Sequence, residues 1–322
     1  MSEGCKEVME AKNKIKTYFY LSLIFFAVSI LVLYGYHNKW TVMFPALFNF
    51  AGIILLSESI TLRFRGKSLF SEIIKSRQNL MTFIVITAIG GIILDGVGKF
   101  LGKLWIYPYW DYKFYSVFVF PAYAVYWLAI VESYLAVKAI TDFLIRGRHI
   151  IYKSFKFEKI FYRLLGIAGF ILLIASAIII FQDYSSQTAA FFIENEIADT
   201  SKSYVVSLNI VLLIFLGCWF ILEAIEYARK RSSLVKDLIH SYFTPLIAII
   251  VGAFVTAFIM EQHNLPISFW QYTHYPFSEI KFMNLPVTVL LTWPLQYVMF
   301  LSLFRAFTDE ESKEIWRGDL IK

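Results

Sequence analysis

The stretch LLGIAGFILLIASAIIIF, residues 164–181, contains no charged side chain. A helix needs about 20 predominantly apolar residues to cross a hydrocarbon core of ~30 Å, so this stretch predicts a membrane-spanning helix. The whole chain of 322 residues fits this interpretation, because 58% of its residues are hydrophobic and only 17% are charged. Soluble domains contain about 25% charged residues. The composition therefore excludes a soluble globular protein.

Seven further apolar runs flank this stretch on its two sides. Together with it they predict spans at residues 17–36, 40–60, 80–101, 116–140, 162–182, 204–226, 244–260 and 284–306. No cleavage site of small residues follows the first run, so we expect it to be a retained anchor and not a signal peptide. The sequence predicts an all-α, polytopic integral membrane protein with about eight transmembrane helices.

Basic residues are concentrated in every second connection between the predicted spans. The three basic connections contain Arg63, Arg65, Lys67, Lys75 and Arg77; Arg146, Arg148, Lys153, Lys156, Lys159 and Arg163; and Arg229, Lys230, Arg231 and Lys236. By the positive-inside rule these connections and both chain termini face the cytoplasm. The net charge of +6 is mostly this topology signal. Nucleic-acid binding is not expected, because the basic residues are divided among three loops beside the membrane.

The two halves of the sequence match at a constant shift of 165 residues. The shift pairs Glu58 with Glu223, Ser68 with Ser233, Trp105 with Trp270, Tyr107 with Tyr272, and Pro121 with Pro286. Each half contains four predicted spans, and an even number of spans gives both copies the same orientation. We therefore predict two parallel tandem repeats of four helices, residues 1–157 and 158–322.

One motif recurs in both halves. It reads Asp95-x9-Trp105-x-Tyr107-x13-Pro121 in the first half and Glu261-x8-Trp270-x-Tyr272-x13-Pro286 in the second. We expect each carboxylate to end the third helix of its half and to accept a hydrogen bond from the Trp or Tyr that follows. We predict that the two copies converge around a pseudo-two-fold axis and form the rim of an apolar cavity between the repeats. The alternative is an aromatic belt at the level of the lipid headgroups.

The spacing of this motif resembles the lycopene-cyclase domain of the carotenoid cyclases. The resemblance implies two tandem copies that close the ends of a linear carotenoid, and a bacterial or archaeal cell membrane. It also implies that an enzyme of this kind would be a cofactor-free isomerase or cyclase. In that family an acidic pair follows the proline, whereas Ala122 and Tyr123 follow Pro121 here, and Val287 and Thr288 follow Pro286. The lipid-binding scaffold is therefore a better expectation than the cyclisation reaction.

The candidate site residues follow from the motif and from carboxylates inside the spans. Intramembrane carboxylates are costly and are functional candidates by default. Glu132 in the fourth span, Asp95 and Glu261 are the catalytic candidates. The substrate-binding candidates are Trp105, Tyr107, Pro121, Trp270, Tyr272 and Pro286. For Glu58 and Glu223 we expect ion pairs with Arg63 or Arg229 instead.

These residues favour a protein that binds, and in one version modifies, an isoprenoid, carotenoid-like or membrane lipid chain between its repeats. Two alternatives remain open from the sequence. One is an accessory subunit of a larger complex with membrane protein partners, and the other is a small-solute transporter. No metal site and no cofactor are expected, because the histidines fall in or near loops without the spacing of a ligand set.

Overall fold

The computed structural model describes residues 3–35, 37–109, 112–145, 156–194, 206–231, 233–282 and 285–307. Within these segments, eight helices are long and apolar enough to cross a membrane. They are Ala11–Leu33, Phe44–Arg65, Arg77–Leu101, Pro121–Leu144, Glu158–Tyr184, Leu208–Ala228, Thr244–Ile267 and Val287–Phe307. Each overlaps one of the eight predicted runs, so the prediction of a multi-pass helical membrane protein is confirmed.

The described residues form ten α-helices and very little strand. They are α1 Glu3–Leu33, α2 Phe44–Arg65, α3 Leu69–Lys75, α4 Arg77–Leu94, α5 Tyr112–Leu144, α6 Glu158–Glu194, α7 Leu208–Ala228, α8 Leu234–Ile239, α9 Thr244–Ile267 and α10 Val287–Phe307. A π-helical segment, Asp95–Leu101, continues α4. Four two-residue strands are described: β1 Trp105–Ile106, β2 Gln271–Tyr272, β3 Lys281–Phe282 and β4 Leu285–Pro286.

Local chemistry explains several of the helix boundaries. Pro45 lies in the first turn of α2, where its missing N–H has no helical partner to lose, and Pro245 lies in the first turn of α9. Gly66 ends α2 in the left-handed conformation with φ 69°, and its N–H bonds to the carbonyl of Leu62. Helix α9 extends past the predicted end at residue 260, because the left-handed Ser268 terminates it only after Ile267.

Helices from both halves of the chain interlock at the centre of the bundle. Helix α5 packs against α2 and α4 of the first half and also against α9 of the second. Helix α10 packs against α7 and α9 of the second half and also against α4 of the first. Trp127 of α5 stacks on Phe300 of α10 with ring centroids 3.8 Å apart and planes 8° apart. The core therefore includes helices from both halves, and the division into repeats at residues 157 and 158 stays a prediction.

The two peripheral helices have corresponding neighbours. Helix α1 packs against α2, and helix α6 packs against α7. A Cβ atom at Gly52 of α2 would lie 2.8 Å from the ring of Phe26, and one at Gly217 of α7 would lie 3.0 Å from the carbonyl oxygen of Gly169. Gly52 and Gly217 are related by the shift of 165 residues, so both close crossings occur at the same position of the predicted repeat. The tandem repeat itself stays a prediction, which these contacts support.

The end of the bundle that contains α3 and α8 has another corresponding pair of contacts. The Ser68 hydroxyl donates to the carboxyl of Glu58, and the Ser233 hydroxyl donates to that of Glu223. The expected ion pairs with Arg63 or Arg229 are therefore wrong. Both glutamates are fully buried and lie beside the serine that precedes the short helix, whereas Arg229 donates to the carbonyl of Ala306.

Two groups of charged side chains buried near the same end form ion pairs, which a low-dielectric interior favours over isolated charges. Arg305 of α10 bonds to Glu226 of α7 at 2.8 Å. In the first half Lys138 and Arg65 contact the same oxygen of Asp142, at 2.8 Å and 2.5 Å. The Tyr242 hydroxyl donates to the other oxygen of Asp142 at 2.7 Å. This last bond connects α5 to the connection between α8 and α9, and so joins the two halves.

Candidate ligand site between the two halves

The two copies of the sequence motif meet in a short antiparallel ladder. Strand β1 pairs with strand β2, with Trp105 opposite Tyr272 and Ile106 opposite Gln271. Just beyond the ladder, the N–H of Thr273 bonds to the carbonyl of Leu104 at 3.0 Å. Ile106 and Gln271 are equivalent positions under the shift of 165 residues, and they pair with each other. The ladder is therefore centred on equivalent positions of the two halves. This is the register that a two-fold axis between Ile106 and Gln271 would produce.

In the first copy, the indole of Trp105 bonds to Asp95 as expected. Its Nε1 donates to Oδ1 of Asp95 at 3.0 Å, and Asp95 is only 2% exposed. Asp95 ends α4 and begins the π-helical segment. A Cβ atom at Gly98 in that segment would lie 2.1 Å from Cη2 of Trp105. The indole therefore lies directly on the backbone of the π-helical segment, in a space that only glycine leaves open.

In the second copy, Glu261 accepts hydrogen bonds from three side chains. Nε1 of Trp270 donates to Oε1 at 3.2 Å, the Tyr272 hydroxyl donates to the same oxygen, and Nδ2 of Asn264 donates to Oε2 at 3.2 Å. Asn264 also bonds to both the N–H and the carbonyl of Trp270, each at 2.9 Å. Sequence reasoning missed Asn264, although its position three residues after Glu261 places it on the same helix face.

The expected position of Glu261 at a helix end is wrong. Helix α9 continues from Glu261 for a further turn and more, and its last residue is Ile267. The buried carboxylate does not need a helix end near water, because the donors from Asn264, Trp270 and Tyr272 solvate it inside the protein. Asp95 lies where α4 changes to the π-helical segment, and helical structure continues past it as far as Leu101.

A cavity of about 100 Å³ lies between the two motif copies. Of the eight motif residues, Trp105, Tyr107, Trp270 and Tyr272 line it, while Asp95 and Glu261 contact the indoles from behind. The remaining lining residues come from α2, α4, α5, α10 and the connection before β2: Phe50, Leu94, Ala122, Tyr123, Tyr126, Phe269, Trp293 and Gln296. The predicted aromatic cavity between the halves is therefore present.

The two motif prolines do not belong to the rim of this cavity. Pro121 lies inside α5, which begins nine residues earlier at Tyr112, and its side chain is exposed. Pro286 lies in β4 opposite Lys281, immediately before α10. Neither proline lines the cavity. Their shared spacing after the tryptophan coincides with different positions, one in a helix and one in a strand. Their role as substrate-binding residues stays a prediction, which the lining of this cavity does not support.

The indoles of Trp105 and Trp270 and the hydroxyl of Tyr126 in the cavity wall have hydrogen-bond partners inside the protein. The indoles donate to carboxylates, and the Tyr126 hydroxyl donates to Oε1 of Gln296 at 3.0 Å. Burial, followed by the charge of Glu261, raises the pKa of Tyr272 well above its ordinary value. Burial also raises the pKa of the neighbouring Tyr275 to about 12. The phenols are therefore neutral near pH 7, and the cavity presents mostly carbon to a ligand.

The three catalytic candidates are not brought together. Glu132 is fully buried in α5, accepts the N–H of Phe70 at 2.8 Å and lies beside Glu58 near α3. It is therefore near the opposite end of the bundle from Asp95 and Glu261. Within the segments that the structure describes, no carboxyl group lines the central cavity. In the same segments no group of three His, Cys, Asp or Glu side chains is placed to hold a metal ion.

The chain matched no protein-family model, no curated protein and no solved structure. The functional assignment therefore depends on the geometry of the site and on the resemblance of the motif.

Proposed function

We propose that this multi-pass membrane protein binds the end of an isoprenoid or similar lipid chain in the central cavity between its two halves. The observation that carries the proposal is the pair of tryptophan–carboxylate contacts around one aromatic cavity. Hydrogen bonds from Trp105 to Asp95 and from Trp270 to Glu261 fix the indole planes and satisfy their N–H groups. The ring faces are then available to an apolar ligand.

The size of the cavity determines how much of a lipid it can hold. Pockets for whole small molecules are typically about 300–1,000 Å³, whereas an apolar cavity of about 150 Å³ holds a benzene molecule. The cavity of about 100 Å³ therefore fits the end group of a chain and not an entire lipid. Aromatic walls suit the flat end of an unsaturated chain, since ring faces and polyene carbons pack closely.

The geometry supports binding better than proton-driven cyclisation. A general acid must lie within about 2.6–3.2 Å of the atom that it protonates, directly or through one water molecule. Asp95 and Glu261 lie behind the indoles that they bond, and Glu132 lies beside Phe70 at the far end of α5. Modification of the ligand by these carboxyls is therefore not part of the proposal.

Filling the cavity tests the proposal. The wild-type protein, Ala122→Phe and the control Val117→Phe are purified in mild detergent, and their bound lipids are identified by mass spectrometry. Ala122 lines the cavity, whereas Val117 lies on the exposed surface of the same helix. We expect a prenyl or polyene chain on the wild type and on Val117→Phe. We also expect at least about a ten-fold loss on Ala122→Phe, because the new ring occupies the volume of the end group.

A second measurement uses a defined probe. Lycopene, a linear polyene, is added to each protein in detergent, and quenching of tryptophan fluorescence reports its arrival beside Trp105, Trp270 and Trp293. Equal quenching in the wild type and Ala122→Phe would contradict binding in the cavity. A protein partner at fixed stoichiometry, with no lipid chain, would favour an accessory subunit instead.

A further inference from the structure

A second and larger hollow lies on the surface of the second half. It has a volume of about 630 Å³ and lies between α9, α10 and the β3–β4 strands. Its apolar lining comes mainly from Phe254, Val255 and Phe258 of α9, Leu290 and Leu291 of α10, and Phe282 of β3. We call this hollow the lateral groove. Its volume falls within the usual range for sites that hold a whole small molecule, unlike the central cavity.

The lateral groove opens toward the hydrocarbon of the bilayer. Val255 is 50% exposed and Leu291 is 66% exposed, and both belong to membrane-spanning helices. A molecule can therefore enter sideways from the membrane without crossing an aqueous phase. This entry route selects for lipids over water-soluble ligands.

The groove is polar at one end only. Glu261 and Gln262 line it one turn beyond Phe258, at the end of α9 that carries the motif. With a rise of about 1.5 Å per residue, the lining from Phe254 to Gln262 extends over about 12 Å. A ligand that fills the groove therefore has a polar head beside Glu261 and an apolar tail along α9.

The hydrogen bonds of Glu261 define the kind of head that fits. In its described bonds Glu261 acts as an acceptor, from Asn264, Trp270 and Tyr272. Its Oε2 accepts from Nδ2 of Asn264, and a carboxylate oxygen has two lone-pair sites, so Oε2 can take a further donor. A carboxylate repels a phosphate or a fatty-acid head. A hydroxyl group, by contrast, can donate to Glu261 and accept from the amide of Gln262.

We propose that the lateral groove binds a single-chain lipid alcohol, with its hydroxyl on Glu261 and its chain between α9 and α10. This site goes beyond the proposed function of the central cavity and has separate walls. The two sites adjoin at Glu261, which lines the groove and also bonds to Trp270 and Tyr272 of the cavity wall.

Binding of the prenyl alcohol farnesol to the purified protein tests this proposal. Radiolabelled farnesol is titrated in detergent, with farnesyl acetate and farnesoic acid as unlabelled competitors. We expect farnesol to bind at least about ten-fold more tightly than the acetate, which has no donor, and than the acid, which is anionic. Equal affinities for the three would overturn the assignment of Glu261 as the group that recognises the head.

Variants separate the groove from the central cavity. Val255→Trp fills the groove, and Ile250→Trp is its control, because Ile250 is 39% exposed on the same helix and does not line the groove. The preference for farnesol over the acetate and the acid, which the head group determines, should be lost in Val255→Trp and stay unchanged in Ile250→Trp. In Ala122→Phe this preference should persist, even though prenyl binding in the central cavity is lost there. Leu291→Trp blocks the same groove from α10 and serves if Val255→Trp does not fold.

The possible failures of the two proposals are distinct. A preference for farnesol that is lost in Ala122→Phe but kept in the groove variants would overturn the lateral site and leave the central one. Absence of farnesol binding to the wild type would also overturn it. Quenching by lycopene that persists in Val255→Trp shows that the central cavity works independently.

Discussion

The two copies of the motif reach the same tryptophan–carboxylate contact with different backbones. In the first half the helix changes to a π-helical segment at Asp95, and the indole of Trp105 lies on Gly98. In the second half α9 remains α-helical past Glu261 as far as Ile267. The first copy has one more residue between carboxylate and tryptophan, and this difference coincides with the wider π-helical turns.

This difference indicates that the tryptophans, and not the carboxylates, are positioned by contact with the other copy of the motif. The tryptophans are aligned by the pairing of β1 with β2, which joins Trp105 to Tyr272 across the ladder. The carboxylates contact these indoles from two different backbones. Asp95 does so from the start of a π-helical segment and Glu261 from an α-helix. Glu261 has the longer side chain and gathers additional donors from Tyr272 and Asn264. The strand pairing determines the register of the two tryptophans, and the hydrogen bonds to the carboxylates orient their indole rings.

Removing the two carboxylates should give the largest difference between the copies. Glu261→Ala leaves three buried donors without their acceptor, so we expect it to lower the free energy of unfolding by at least about 3 kcal/mol. Asp95→Ala should cost about 1–3 kcal/mol and Asp95→Asn much less, because the amide oxygen still accepts from Trp105. Denaturation in mixed detergent micelles measures these changes. Equal losses for the two alanine variants would show that the extra donors of Glu261 contribute nothing.

A methyl group in the π-helical segment should disturb the first copy alone. The Cβ of Gly98→Ala would collide with the ring of Trp105, and overpacking of this kind costs about 1–3 kcal/mol. Gly96→Ala is the matched control, since a Cβ atom there has no neighbour within 4 Å. The control should be neutral or slightly stabilising. The two variants are compared by thermal unfolding and by the tryptophan emission spectrum. An unchanged spectrum in Gly98→Ala would mean that the indole has another position.

The smallest effect near neutral pH is expected for Tyr275 in the second copy, because its contribution to stability is lost only at high pH. Burial raises the pKa of Tyr275 from about 10 to about 12, so the folded state retains a proton that the unfolded state loses. Its stabilising contribution is complete below pH 10 and is lost as the pH rises through about 12. The shift corresponds to about 3 kcal/mol in full, of which about half is lost by pH 11. Tyr275→Phe should remove this part of the pH dependence. An identical alkaline slope in the wild type and the variant would contradict it.

The sequence predicted the fold class and the partners of the motif tryptophans for identifiable reasons. Runs of about 20 apolar residues have few alternatives to a transmembrane helix, and a buried indole N–H requires an acceptor. The end of α9 was predicted too early, because the nearby carboxylate at Glu261 resembled a helix end at the membrane surface. Asn264 was missed because a single amide near a loop has no pattern that distinguishes it.

The roles of the prolines and of Glu58 could not be predicted from spacing. Pro121 and Pro286 share a register but occupy a helix interior and a strand, a difference that depends on how each segment enters its helix. Glu58 bonds to Ser68, which precedes the short α3, and α3 packs against α4 and α5. The sequence favoured Arg63 as the partner of Glu58, because it is only five residues away along the chain. Tertiary packing instead brings Ser68 to Glu58.

The interlocking of α5 with α9 and of α10 with α4 constrains the order in which the protein can be completed during synthesis. Helices α4 and α5 are synthesised well before α9 and α10, against which they pack. Until then, the inner faces of the first four spans contact lipid or the insertion machinery. The bond from Tyr242 to Asp142 likewise forms only after the second half has begun to emerge. Final assembly is therefore a late step that closes contacts between distant parts of the chain, a pattern typical of slow folding.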